Sequence, residues 1–177
     1  YASSRGIHAS TIDTLYGLDM EARDLETDRT KAIAIRSHNF AHVAAMPHGV
    51  SLAKALIELR EKGKCPPSPL PLVLTPPVTA WILAKLAPAF CADRVHKGES
   101  LVTRLEGKRI GSHRVHVVDD AAHPGGLRTR AFDDRGVPPV PLTVIREGIV
   151  GEYYHSPRTA RRDDVRPTGH VGGQAIE

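Results

Sequence analysis

Six prolines fall within the thirteen residues of "CPPSPLPLVLTPP", positions 65–77. Each removes a backbone amide donor and fixes φ, so neither a helix interior nor a central strand can run through this stretch. What fits is a short apolar strand, Leu70–Leu74, lying on a sheet edge or entered from a loop. Thr75 followed by Pro76 then reads as an N-cap with a first-turn proline, which predicts a new helix. In that helix Val78, Trp81, Ile82 and Leu86 form one apolar stripe. Pro88 cannot donate to the carbonyl of Ala84, so the helix kinks or ends there.

On the N-terminal side of the proline block, "IHASTIDTL" alternates loosely. "TKAIAIRS" places Ile33 and Ile35 on one face, with Ala32 and Ala34 on the other, so residues 7–35 predict strands around a polar turn, "DLETDRT". A helix is expected over 51–62, capped by Ser51 and ended by Gly63, with Leu52, Leu56 and Leu59 sharing a face. From Lys108 onward the pattern is β-rich. "RVHVVDD" predicts a strand entering an acidic turn, and "PGG" at 124–126 a loop. "LTVIREGIVGEYY" predicts a hairpin turning at Glu147–Gly148. Ser156–Pro157 starts a short helix, "RTARRD". The expected fold class is α+β, with a β-rich C-terminal half of antiparallel strands and a few packed helices. Two regions are expected, 1–107 and 108–177.

With 41% apolar and 25% charged residues the 177-residue chain has an ordinary globular composition, and aromatics at 5% leave the core to aliphatic side chains. No apolar run reaches the ~18 residues of a membrane span. No segment has the layout of a signal peptide, and the two cysteines, Cys65 and Cys91, form no C-x-x-C pair, so a reduced, cytoplasmic protein is expected. The opening "YASSRG", without Met, suggests a fragment. The net charge is +4, and the basic cluster Arg158, Arg161, Arg162 and Arg166 is partly neutralised by Asp163 and Asp164. No aromatics interleave with it for base stacking, so nucleic acid is not an expected partner.

Ten histidines invite a metal hypothesis. His38 and His42 at i, i+4 would share a helix face, with His48 near, but Asn39 stands where H-E-x-x-H needs its glutamate. Surface or loop histidines are the preferred reading. His113 and His116 on a strand would face opposite sides. The pairs Asp119–Asp120 and Asp133–Asp134 could bind cations or move protons, but Asp at a strand–turn junction more often serves local backbone bonding. Cys91 could be a nucleophile with His96 near, but a small buried apolar residue is preferred. G-x-S-x-G, Walker A and G-x-G-x-x-G are all absent.

Taken together, several stretches resemble the TldD/PmbA family, whose older name is modulator of DNA gyrase. They are V-D-D at Val118–Asp120, P-G-G at Pro124–Gly126, F-D-D-x-G-V-P at Phe132–Pro138 and the hairpin Val144–Tyr153. T-A-R-x at Thr159–Arg162 and P-T-G at Pro167–Gly169 complete the second half. Its family-motif positions are Asp119, Asp120, Phe132, Asp133, Asp134, Gly136, Pro138, Thr159, Ala160, Arg161, Thr168 and Gly169. In the first half "SSRGIHAST", "PLVLTPPVTAWIL" and "ADRVHKGESLV" fit as well. The departures are Arg135 in place of an acid and His170 in place of Asn. Family members are longer, so the chain is expected to be a fragment of a longer family chain.

The resemblance implies a specific comparison. TldD-type subunits are metallopeptidases with an H-E-x-x-x-H motif on the helix after the V-V-L strand, supplying two imidazoles to the metal and a carboxylate for the proton of the attacking water. Here the three positions match Leu83, Ala84 and Pro88, and the acidic position further along matches Cys91. The resemblance is therefore to the PmbA/TldE type. It implies a non-catalytic subunit that pairs with a TldD-like metallopeptidase to process small peptides or peptide-like metabolites, with no catalytic or metal residue and no cofactor of its own, and with zinc in the partner. The 79–93 helix is then a helix that packs. Two other readings stand beside it: an enzyme acting in its own right on a natural-product intermediate, and a binding or regulatory module.

Overall fold

The computed structural model describes residues 2, 4, 6–44, 47–60, 63 and 66–172. They form a mixed α/β structure with antiparallel strands and a few short helices, divided into two compact units. Among them no helix is long and apolar enough to cross a membrane.

One unit is Ile12–Leu72. Strands β1 (Tyr16–Arg23) and β2 (Thr30–Ser37) pair antiparallel, with Leu18 opposite Ile35 and Met20 opposite Ile33 on the half-buried face. Helices α1 (Phe40–Ala44) and α2 (His48–Glu58) cover that face through the buried Val43, Leu52 and Leu56. Behind α2, Arg60 grips the β1–β2 turn. Its Nε lies 2.6 Å and its Nη2 2.7 Å from the two Asp24 oxygens, and its Nη1 2.7 Å from Glu26. The guanidinium holds the Asp24 carboxyl well below the usual carboxylate range, against the opposing effect of desolvation.

Several expectations are corrected here. Residues 7–15 form no extended strand, only an isolated bridge of His8 to Ala2, and β1 begins at Tyr16. Helix α2 starts at His48, three residues before Ser51, and runs to Glu58. Its N-cap position is Pro47, with no side-chain cap. Of the 51–62 span, residues 61 and 62 lie outside the described residues, as does Cys65. His38 and His42 do not share a helix, because α1 begins at Phe40. The His38 ring instead bonds the Thr14 carbonyl at 2.8 Å, and His48 bonds the Val43 carbonyl at 3.0 Å.

The other unit joins the described residues of Tyr1–Thr11 to those of Val73–Glu177. Its elements are α3 (Pro76–Leu86), a 3-10 turn (Ala87–Phe90), α4 (Ala92–Lys97), β3 (Val117–Asp119), β4 (Leu142–Arg146), β5 (Ile149–Val150) and α5 (Pro157–Asp163). The sheet β3-β4-β5 is antiparallel, with a bulge between Val117 and Val118. One core holds it to the helices: Phe90, Ala92, Val102, Leu142, Val144, Val150, Tyr153 and Tyr154. The alternation in β4 explains which side chains enter, since Leu142 and Val144 are each 2% exposed while Arg146 lies outside.

The hairpin turns at Glu147–Gly148 as expected. Both residues have positive φ, 51° and 75°, the pattern of a type I′ turn. A Cβ on Gly148 would collide with the Gly111 carbonyl oxygen, so the turn is also wedged under residues 111–112. Ser156 caps α5 by accepting from the Thr159 amide at 3.2 Å. By contrast, Leu70–Leu74 pairs with no strand among the described residues, and Val73 is 90% exposed. Prolines 69 and 71 withhold two donors at its entry. His113 lies in a turn ahead of β3, so the expected strand "RVHVVDD" is confined to Val117–Asp119.

Candidate functional site

Helix α3 forms where Thr75–Pro76 predicts it. It ends at Leu86, ahead of Pro88, and the chain tightens into the 3-10 turn. None of its residues is buried. Trp81 is 61% exposed, and Val78, Leu83 and Leu86 are exposed too. The expectation of a packing helix is therefore not met within the described structure. The apolar stripe leaves Val78, Trp81 and Leu86 exposed and Ile82 half-buried, and Lys85 lies over the Trp81 ring at 5.8 Å. Leu83 is exposed, while Ala84 and Pro88 are half-buried. These three side chains offer no donor to a metal, so they do not fit the zinc of a metallopeptidase. Among the described residues no three His, Cys, Asp or Glu side chains are placed to hold a metal ion.

The family-motif residues converge instead on a frame around the end of the described chain. Asp133 is 2% exposed. Its Oδ1 accepts from the Arg135 and Val137 amides at 2.8 and 2.9 Å, and its Oδ2 from the Val171 amide at 3.0 Å. The Asp134 amide donates to the Val171 carbonyl, and the Gly136 amide to that of Asp133. Thr168 donates its amide to the His155 carbonyl at 3.0 Å, and its Oγ1 accepts from the His155 amide at 3.1 Å. Gly169 has φ 73°, and a Cβ there would strike the Pro138 carbonyl. Thr159 and Ala160 are the buried residues of α5, whereas Arg161 is exposed and Phe132 is half-buried. Asp120 accepts from the Ala122 amide at 3.1 Å, a turn bond of the kind expected for this residue.

Inside this frame lies a cavity of about 180 Å³ lined by Cys91, Tyr154, His155 and His170, with Asp93 and Thr159 at its edge. Asp119 stands behind it. The Tyr154 hydroxyl donates to Asp119 Oδ2 at 2.9 Å, and His170 Nε2 lies 3.7 Å from Asp119 Oδ1. The His170 imidazole holds the Asp119 carboxyl below its usual range against the opposing push of burial, and the Tyr154 hydroxyl adds to the lowering. Burial, followed by the charge of Asp119, drives the Tyr154 phenol far above its ordinary value. His96 pairs with Asp163 at 2.7 Å.

The model of the PmbA/TldA metallopeptidase C-terminal domain matches residues 67–176. The chain belongs to the PmbA/TldD family. Within the family it is 34% identical to the metalloprotease MJ0996 of Methanocaldococcus jannaschii over 121 residues, 68% of this chain and 27% of that protein. It is 36% identical to the metalloprotease slr0863 of Synechocystis over 81 residues, 45% of this chain and 18% of that protein. The fold matches the crystal structure of a DNA gyrase modulator-like protein, TM0727 of Thermotoga maritima. The TM-score is 0.76 at 24% identity, covering 90% of this chain and 37% of that one. The chain thus spans about a quarter or less of the curated relatives it matches.

Tyr154, His155 and His170 form the cavity wall without any short spacing in the sequence to announce them. His170 was visible only as a departure from the family's P-T-G-N pattern. Cys91 and His170 lie too far apart in the chain for periodicity to connect them.

Proposed function

We propose that this chain is the non-catalytic, PmbA/TldE-like part of a heterodimeric metallopeptidase whose TldD-like partner carries the zinc. The substrates are small peptides or peptide-like metabolites. One observation carries the reading: Leu83, Ala84 and Pro88 stand on α3 and the turn after it, where a family metallopeptidase needs two imidazoles and a carboxylate. The exposed apolar side chains Val78, Trp81 and Leu86 support it as well, since a contiguous apolar helix face is what a docking surface presents.

The test is metal analysis of the purified chain, followed by peptide cleavage with a co-expressed TldD-like partner, with and without chelator. The chain alone should hold no stoichiometric zinc and cleave nothing, and the pair should lose activity to the chelator. Tight zinc in the chain alone, released by substitution of Leu83 or Cys91, would sink the reading.

A further inference from the structure

We infer that α4 and α5 are joined by an acid-opened latch, in which protonation of His155, packed against a carboxylate that His96 already occupies, frees α5 and opens the cavity between the two helices. The geometry is that of two imidazoles on one oxygen. His96 Nε2 of α4 lies 2.7 Å from Asp163 Oδ2, at the last residue of α5. His155 Nδ1 lies 3.7 Å from the same Oδ2, beyond hydrogen-bond reach. That nitrogen is buried and has no hydrogen-bond partner among the described residues, and the His155 side chain is only 11% exposed. A proton placed on it therefore finds no good acceptor, and it adds a second positive charge beside His96.

His155 is also where three pieces of chain meet. It precedes Ser156, the cap of α5. Its backbone holds Thr168 through an amide–carbonyl bond at 3.0 Å and an amide–hydroxyl bond at 3.1 Å. Its ring lines the cavity of about 180 Å³, with Cys91 and Asp93 from the start of α4, Ser156 and Thr159 from the start of α5, and His170. Movement of α5 away from α4 necessarily widens that cavity.

The groups around the His155 ring act in both directions. Burial is the chief cause that holds the imidazole below its ordinary value. The Asp163 carboxylate opposes it, the charge of His96 adds to it, and Glu106 and the Thr159 backbone oppose it more weakly. The other tie between the helices is of a different kind. Asp93 pairs with Arg158 of α5 and, at 2.7 Å, with Lys97. Lys97, as the largest cause, keeps the Asp93 carboxyl below its usual range, so this tie stays charged in mild acid. His170, the other imidazole of the cavity, has Nε2 3.7 Å from Asp119. With the folded value of His155 below the unfolded one, the open form takes the proton first as pH falls through about 6.5. Closure is complete above that pH, weakens below it, and stops weakening once the folded value is passed. At pH 5.5 an open imidazole of ordinary value is protonated about ten to one, so opening gains at most about tenfold.

The experiment is hydrogen–deuterium exchange of the intact chain at pH 7.5 and pH 5.5, read by mass spectrometry as protection relative to the intrinsic rate at each pH. Peptides covering residues 157–168 should lose at least threefold in protection at pH 5.5, while those covering the β4–β5 hairpin hold theirs. His155→Gln, which keeps a polar side chain and cannot take the proton, should remove most of the loss. A loss under threefold, an equal loss in the hairpin, or an equal loss in His155→Gln overturns the proposal. If His155→Gln does not fold, His96→Gln decides. It leaves Asp163 to His155 alone and should reduce the loss, and an undiminished loss overturns the proposal.

Discussion

Helix α3 and strand β4 are similarly apolar and end in opposite surroundings. Leu142 and Val144 of β4 are almost wholly buried in the core with Phe90, Val102 and Tyr153. Trp81, Val78 and Leu86 of α3 face outward. The difference lies in what faces each element. The β4 side chains meet a strand on either side and the turn at residue 90, and their alternation has one face to fill. The α3 stripe has the correct helical spacing, but among the described residues Val78, Trp81 and Leu86 stay exposed and Ile82 is only half-buried. Apolar periodicity states that a face needs covering and leaves open what covers it.

The sharpest way to break this comparison is to remove an apolar side chain from each side. Leu142→Ala should cost about 2–5 kcal/mol, because a side chain that well enclosed leaves a cavity behind. Urea unfolding followed by far-UV circular dichroism measures it, and a cost under 1 kcal/mol would mean that β4 is not in a packed core.

A second prediction concerns the unit Ile12–Leu72. The Asp24 carboxyl titrates lower in the folded chain than its unfolded value of about 3.9. Its contribution is therefore fully present above about pH 4 and is lost as pH falls further toward the folded value. The urea midpoint of the natural chain should drop more steeply below pH 4 than that of Arg60→Gln. Parallel pH curves would show that the clasp adds nothing.

The smallest effect is expected on α3. Trp81→Ala should shift stability by no more than about 1 kcal/mol, since the side chain is 61% exposed and a surface cation–π contact such as that with Lys85 is worth about 0.5–1 kcal/mol. A loss comparable to that of Leu142→Ala would show that α3 is covered in solution by a second copy of the chain, and sedimentation of the natural chain would reveal it.

The sequence was most legible where local chemistry decides. The Glu147–Gly148 turn, the Ser156 cap, the Thr75–Pro76 start and the alternation of Thr30–Ser37 are each settled by a few adjacent residues. Partners distant in the chain were not legible. Leu70–Leu74 has strand composition, but pairing depends on a neighbour its own residues do not specify. Likewise α2 starts at His48, because its register is set by Leu52 and Leu56 packing on β1 and β2, and Ser51 has no say in it. The same limit applied to the candidate site. The family motifs marked Asp119, Asp133, Thr168 and Gly169, and these build the frame. The cavity wall joins Cys91 to Tyr154 and His170 across more than sixty residues, and only the folded chain brings them together.

Hairpin turns are usually where an engineer lengthens a chain, because they project into water. The Glu147–Gly148 turn lies under residues 111–112, with the Gly148 carbonyl accepting from the amides of Ile110 and Gly111. An epitope tag or reporter loop spliced there would have to displace that strap. The exposed stretch around Pro124–Gly125 is the better place to graft one.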